Sequence, residues 1–282
     1  MARGTKSKGK RDSGVKAARA GVVGKKPMPW GTIIAVIAIV ALAGVVLGYY
    51  VVKSAPKREQ AEREEAAQVF TPSDANPDPS KKIEGVTIEE FKAAGHVNPS
   101  ERVAYEQSPP FGGAHDGIWA DCSGVVYPQG VRSENLVHSL EHGAVWIAYD
   151  PEKVSDDDKV LLEVRAEKKP FTVMSPYPGL DKPISLQSWG HQLKVDDAGD
   201  IRIDQFIAAL RRNPNTTPEP DAGCTPPPGS FDVANPPPFD PSEPGKDAKP
   251  MDYGGNAGMN PDAPAGGQPL PGDDAGGEPQ GE

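Results

Sequence analysis

From Gly31 to Val52 the chain reads GTIIAVIAIVALAGVVLGYYVV, twenty-two positions without a charge. As a helix this run rises about 33 Å, enough to span a bilayer core, and it is apolar on every side, so it has no polar face to turn to water. Trp30 at one end and Tyr49-Tyr50 at the other suit the two membrane interfaces. The pattern predicts a transmembrane helix over residues 30–52. The next stretch, Ala55 to Gln68, is rich in helix formers but lacks an apolar stripe and reads as a solvated stalk. Thr71 to Ser80 (TPSDANPDPS) is turn-rich, so residues 53–82 form stalk and linker.

The folded part is about 83–224, a length typical of one domain, with mostly Gly/Pro loop between Val103 and Val137. Thr87 to Gly95 predicts a short helix, with Thr capping, Glu90 three residues on and Gly ending it. Ala144 to Tyr149 is an unbroken apolar run of strand length. Ser155 caps an amphipathic helix to about Lys168, and Phe171 to Met174 is a strand closed by the turn SPYPG. Ile184 to Val195 reads as one long strand or two short ones broken at Gly190. Asp200 to Arg212 is a helix with Ile203, Phe206, Ile207 and Leu210 inward. This order predicts an α+β domain: a small mixed β-sheet with two or three helices, preceded by one transmembrane helix and followed by a disordered tail.

Composition supplies the ends. Residues 225–282 hold 14 Pro and 11 Gly with scattered acids, too little apolar surface to offset the entropy of ordering. The first 27 residues hold nine Lys or Arg against one acid, Asp12. As a basic arm (1–29) directly before the span, they predict an N-terminus in the cytoplasm and a domain outside it, by the positive-inside rule. That role accounts for the arm without nucleic acid. A cleavable signal peptide is the competing reading, since Ala41-Leu42-Ala43 resembles a cleavage triplet, but nine more apolar residues follow it. Two cysteines, Cys122 and Cys224, with no CxxC, predict one disulfide on the oxidising side of a membrane. Cys122 as a metal ligand is the alternative.

Candidate chemistry lies in the histidines. His138-Ser-Leu-Glu141-His142 places two imidazoles at i and i+4, on one face of a helical turn. His115 ends an irregular Pro/Gly loop, Pro109 to His115, and is placed to supply a third ligand, with Glu141 supporting or joining the set. Three neutral imidazoles suit copper or zinc. Met174 is a candidate soft ligand, more ordinary as core. A structural role is the other possibility: His138 and Glu141 bonding the turn before the strand, and His115 satisfied within its loop. The string also matches H-x-x-E-H, the inverted zinc-peptidase signature, in which Glu141 is the general base. Gly143 and a strand follow at once, where that motif needs a sustained helix, and the downstream acids on offer are Glu163, Glu167 and Glu219.

At these residues the chain resembles a known family. Pro109-Pro110-x-x-Gly113-x-His115, Val137-His-Ser-Leu-Glu-His-Gly143 and Ser188-Trp189-Gly190 are similar to a domain-of-unknown-function family occurring largely in actinobacteria. The resemblance covers about 95–212 and implies a membrane-anchored extracytoplasmic domain with no established reaction. Gly112 stands where that family usually has Ser, and His191 where it has another basic residue. Some relatives accompany copper-handling proteins. The resulting expectation is a single-span membrane protein that binds copper before zinc through His115, His138 and His142 with Glu141, held by Cys122–Cys224. A non-catalytic subunit binding an envelope protein is the alternative, and a zinc peptidase the third reading.

Overall fold

A computed structural model describes residues 28–91 and 95–254. The chain divides into two compact units, Met1–Val52 and Lys53–Glu282. A long helix, α1 (Trp30–Ala67), begins in the first, and its apolar part is long and apolar enough to cross a membrane. Ile34, Ile37, Leu42, Val45 and Leu47 are all exposed, so this part is not the core helix of a soluble fold.

In the second unit the elements after α1 are β1 (Val86–Ile88), β2 (His96–Val97), β3 (Val103–Ala104), β4 (His115–Asp116), β5 (Ser123–Val126), α2 (Ser133–Glu141), β6 (Val145–Tyr149), α3 (Asp156–Ala166), β7 (Thr172–Pro176), β8 (Ile184–Ser188), β9 (His191–Val195), α4 (Ile201–Leu210) and β10 (Lys249–Pro250). Six strands form one mixed sheet in the order β1-β9-β8-β6-β7-β5. β6 and β5 both run parallel to β7, and the other neighbours are antiparallel. The fold is α+β.

The sheet is covered on both faces, which is why β6 reads as a continuous apolar run. Val145, Ile147 and Tyr149 face α3 and α4, packing with Leu162, Phe206 and Leu210. Trp146 and Ala148 face the other way, toward Leu136, Val137 and Leu140 of α2. The Trp146 Nε1–H is satisfied by Ser175 Oγ at 2.9 Å. Ser155 caps α3 by accepting from Asp158 N, where the sequence signal placed the cap, and Asp200 caps α4 by accepting from Arg202 N. On the α3/α4 side Arg165 and Asp204 form a two-bonded ion pair with both side chains almost wholly buried.

Four departures from the sequence reading have local causes. The helix expected from Thr87 begins instead as edge strand β1, in which Val86-Thr87-Ile88 pairs with Leu193, Gln192 and His191. Two β-branched residues flanking Thr fit a pleated edge better than a helical turn. Residues 92–94 of that segment lie outside the described chain. The stalk is helical but not wholly solvated: Gln60 is buried and donates to Asp204 Oδ1 at 2.7 Å, and Arg63 donates to Gly199 O. Part of the linker is likewise packed, with Asp78 and Ser80 buried. Finally, residues 225–254 run back over the α2 side. Phe231 and Phe239 pack on its core, Met251 and Tyr253 on Val97, Val103 and Ala114, and β10 pairs with β3. Residues 255–282, the remainder of the expected tail, lie outside the described residues.

Candidate metal centre

α2 is buried along nearly its whole length, so each of its polar side chains needs a partner. The end of β4 and the loop after it supply them as carbonyls. Asn135 Nδ2 donates to Ile118 O (2.7 Å), His138 Nδ1 to Asp116 O (2.6 Å) and Ser139 Oγ to Ala120 O (2.7 Å). Positions i, i+3 and i+4 share a helix face, so one stretch of chain binds all three. The helix stops at Gly143, whose φ of +89° turns the chain into β6 while its N–H reaches Leu140 O. A Cβ there would sit 3.0 Å from Thr217 Oγ1 and 3.3 Å from Arg212 Cα.

His115 approaches from the other side. β4 pairs in parallel with β2, and the register sets His115 opposite His96. Gly113, at φ +94°, is held against Met251, where a Cβ would fall 2.8 Å from the Met251 carbonyl oxygen. The Gly113 carbonyl accepts from His115 Nδ1 at 2.8 Å, which leaves the Nε2 of His115 to face α2.

Ligand atoms of His96, His115, His138 and Glu141 all lie within 4.8 Å of one another. Nε2 of His115 is 2.9 Å from Glu141 Oε2, and Nε2 of His138 is 3.9 Å from the same oxygen. The His115 and His138 rings lie 4.7 Å apart, and His96 stacks on His138 at 5.1 Å. A tetrahedral ion with bonds near 2 Å holds its donors about 3.3 Å apart, so small ring movements close this group on an ion. His115 Nε2 is buried and has no hydrogen-bond partner despite its nearness to Glu141. In the tautomer with Nδ1 donating to Gly113, Nε2 turns a lone pair toward a carboxylate, an arrangement that a cation between the two atoms stabilises.

A second group, His138, His142 and Glu219, meets the same spacing. His142 Nδ1 donates to Gly223 O at 2.8 Å, and its Nε2 is 3.5 Å from Glu219 Oε2. Thus three imidazoles have Nδ1 bound to a backbone carbonyl and Nε2 directed inward, the tautomer in which metal-ligating histidines are usually held. Trp119 packs against His142 and His138, with ring centres at 4.5 and 5.2 Å, and Trp189 meets His115 edge-on.

Burial, and then neighbouring His115, lower the pKa of His96; burial, then His115 and His142, hold His138 well below the ordinary histidine range. Burial also lowers His142, and burial followed by the Glu141 charge raises Glu219. His96, His138 and His142 are therefore kept neutral and able to coordinate.

The structure brings together His115, His138 and Glu141 of the sequence-predicted set, while His142 joins the second group with Glu219. His96, absent from that set, completes the first. Its only signal is the pairing of two-residue strands, a contact that periodicity does not reveal. Met174 packs among Leu162, Ile147 and Leu186 on the opposite sheet face. His191 stands apart, bonded to Trp189 O and 3.4 Å from Asp78. Cys122 is no ligand: it is disulfide-bonded to Cys224, which fastens residues 219–224 beside His142.

Residues 96–226 match the family model described as protein of unknown function (DUF3105). The matched span contains both histidine groups and both cysteines. No curated protein and no solved structure matches the chain.

Proposed function

We propose that this chain is a single-span membrane protein whose domain lies outside the cytoplasm and binds one divalent transition ion, copper before zinc. His96, His115, His138 and Glu141 hold the ion. The observation that carries this reading is the buried, unpartnered His115 Nε2 facing the Glu141 carboxylate. Three nitrogens and one oxygen without sulfur suit Cu(II) or Zn(II) better than Cu(I), and the affinity order among divalent ions sets Cu(II) first. Four protein donors, three of them buried and His96 partly buried, suit retention of an ion rather than catalysis on it. The topology is supported by the basic arm before an apolar span and by the disulfide, which persists in oxidising compartments.

His138, His142 and Glu219, with Glu141 beside them, also carry the donor types of an inverted zinc peptidase. Burial weighs against that reading. His142 and Glu141 have almost no solvent contact and the Trp119 ring lies across His142, so a peptide bond has no approach to Glu141.

The test is calorimetry and metal analysis on the detergent-purified full chain with Cu(II) and Zn(II) salts. One ion bound more tightly than about 1 µM, with that affinity lost in His115→Ala and His138→Ala, supports the reading. Binding no tighter than micromolar, or retained in both variants, overturns it. The topology is checked separately, by labelling Ser242→Cys in intact cells with a thiol reagent that does not cross membranes. Labelling is expected.

A further inference from the structure

The two histidine groups share one residue. His138 has its Nδ1 bound to Asp116 O, so only its Nε2 is free to coordinate, and the groups cannot both hold an ion through it. They are alternative positions for one ion. Their exposure differs most at Glu219, whose side chain is 53 % accessible, whereas those of His142 and His138 are 3 %, that of His115 is 0 % and His96 is partly buried. Donor number rises in the same direction, from three in the outer group to four in the inner one. Glu219 stays over the inner group because its N–H donates to Glu141 O and the disulfide pins the same segment five residues on.

Resting on the metal-binding reading above, we propose that His138, His142 and Glu219 form an outer exchange position for the ion of the inner site. The ion first meets water-exposed Glu219 and then His142. His138 next turns from the outer ligand set to the inner one, where His96, His115 and Glu141 complete the coordination. Release follows the reverse route, so Glu219 sets how fast the ion is acquired and surrendered without setting how tightly it is finally held. Trp119, against both His142 and His138, lines this passage and reports on it.

The experiment follows Trp fluorescence of the detergent-solubilised full chain during loading with Cu(II) chloride and stripping by excess chelator. Glu219→Gln, an exposed substitution, is expected to slow both rates at least about tenfold while leaving the equilibrium affinity within about threefold. His142→Ala, measured alongside, should slow both rates in the same way. Unchanged rates in Glu219→Gln overturn the exchange role and leave the inner site intact. A fall in affinity as large as that of His115→Ala also overturns it, because Glu219 is then a ligand of the resting ion. Failure of the unsubstituted chain to bind Cu(II) or Zn(II) rejects the metal reading itself.

Discussion

His115 Nε2 and Glu141 Oε2 lie 2.9 Å apart in a buried setting, yet no hydrogen bond joins them. The geometry predicts opposite signs for one substitution. Glu141→Gln gives His115 an amide N–H to accept, so the metal-free domain keeps or gains thermal stability. Metal affinity falls by about 10–100-fold as the carboxylate charge is lost. Melting curves with and without Cu(II) read both effects, and a fall in metal-free stability would contradict the account.

On the far sheet face, Arg165 and Asp204 are a desolvated pair to which Gln60 adds a third bond. Asp204→Ala leaves a guanidinium buried without its partner and is expected to cost about 3–5 kcal/mol. The double change Arg165→Met with Asp204→Leu should recover much of that loss. Chemical denaturation measures both variants.

His96, His138 and His142 have folded-state pKa values below the ordinary 6.5. Below that pH the unfolded chain binds protons that the folded one refuses, so stability of the metal-free domain falls as pH drops. Above about pH 7.5 both states are deprotonated at these rings and this contribution is constant. Denaturant titrations from pH 7.5 to 5 test the sign, and His138→Gln should flatten the slope.

Closing a loop between residues 102 apart, the Cys122–Cys224 bond constrains the unfolded chain by a nominal 4.7 kcal/mol or about that. It also keeps Gly223 O against His142 Nδ1. Cys122→Ser with Cys224→Ser is expected to lower the melting temperature sharply and to loosen the Glu219 segment, visible as faster amide exchange over residues 213–224.

Strands β6 to β9 and helices α3 and α4 were legible because their signals are local, whereas β1 and β5 were not. Apolar runs at β6 and β7, the Gly190 break, the Ser155 cap and the amphipathic period of α4 each act within a few residues. The metal group was legible in part. His138 and Glu141 share a helix, and His115 ends a loop whose prolines and glycines mark it. His96 and Glu219 come from segments whose relation to α2 depends on the β2–β4 pairing and on the disulfide, both long-range. Thr87 misled because a capping pattern and a β-branched triplet overlap there, and pairing with β9 decided for the strand.

Low complexity and absence of order are separable properties. Residues 225–254 contain nine prolines in thirty, a composition with few large apolar side chains, yet Pro237 O accepts from Arg132 N and Pro238 bridges Val131. Proline has already surrendered φ in the unfolded chain, so pinning this segment costs less entropy per residue than pinning an ordinary coil. A few anchors, Phe231, Phe239 and Met251, therefore suffice to hold it. Lacking N–H groups at intervals, the strap, which pairs along β3, is also a poor template for a further strand.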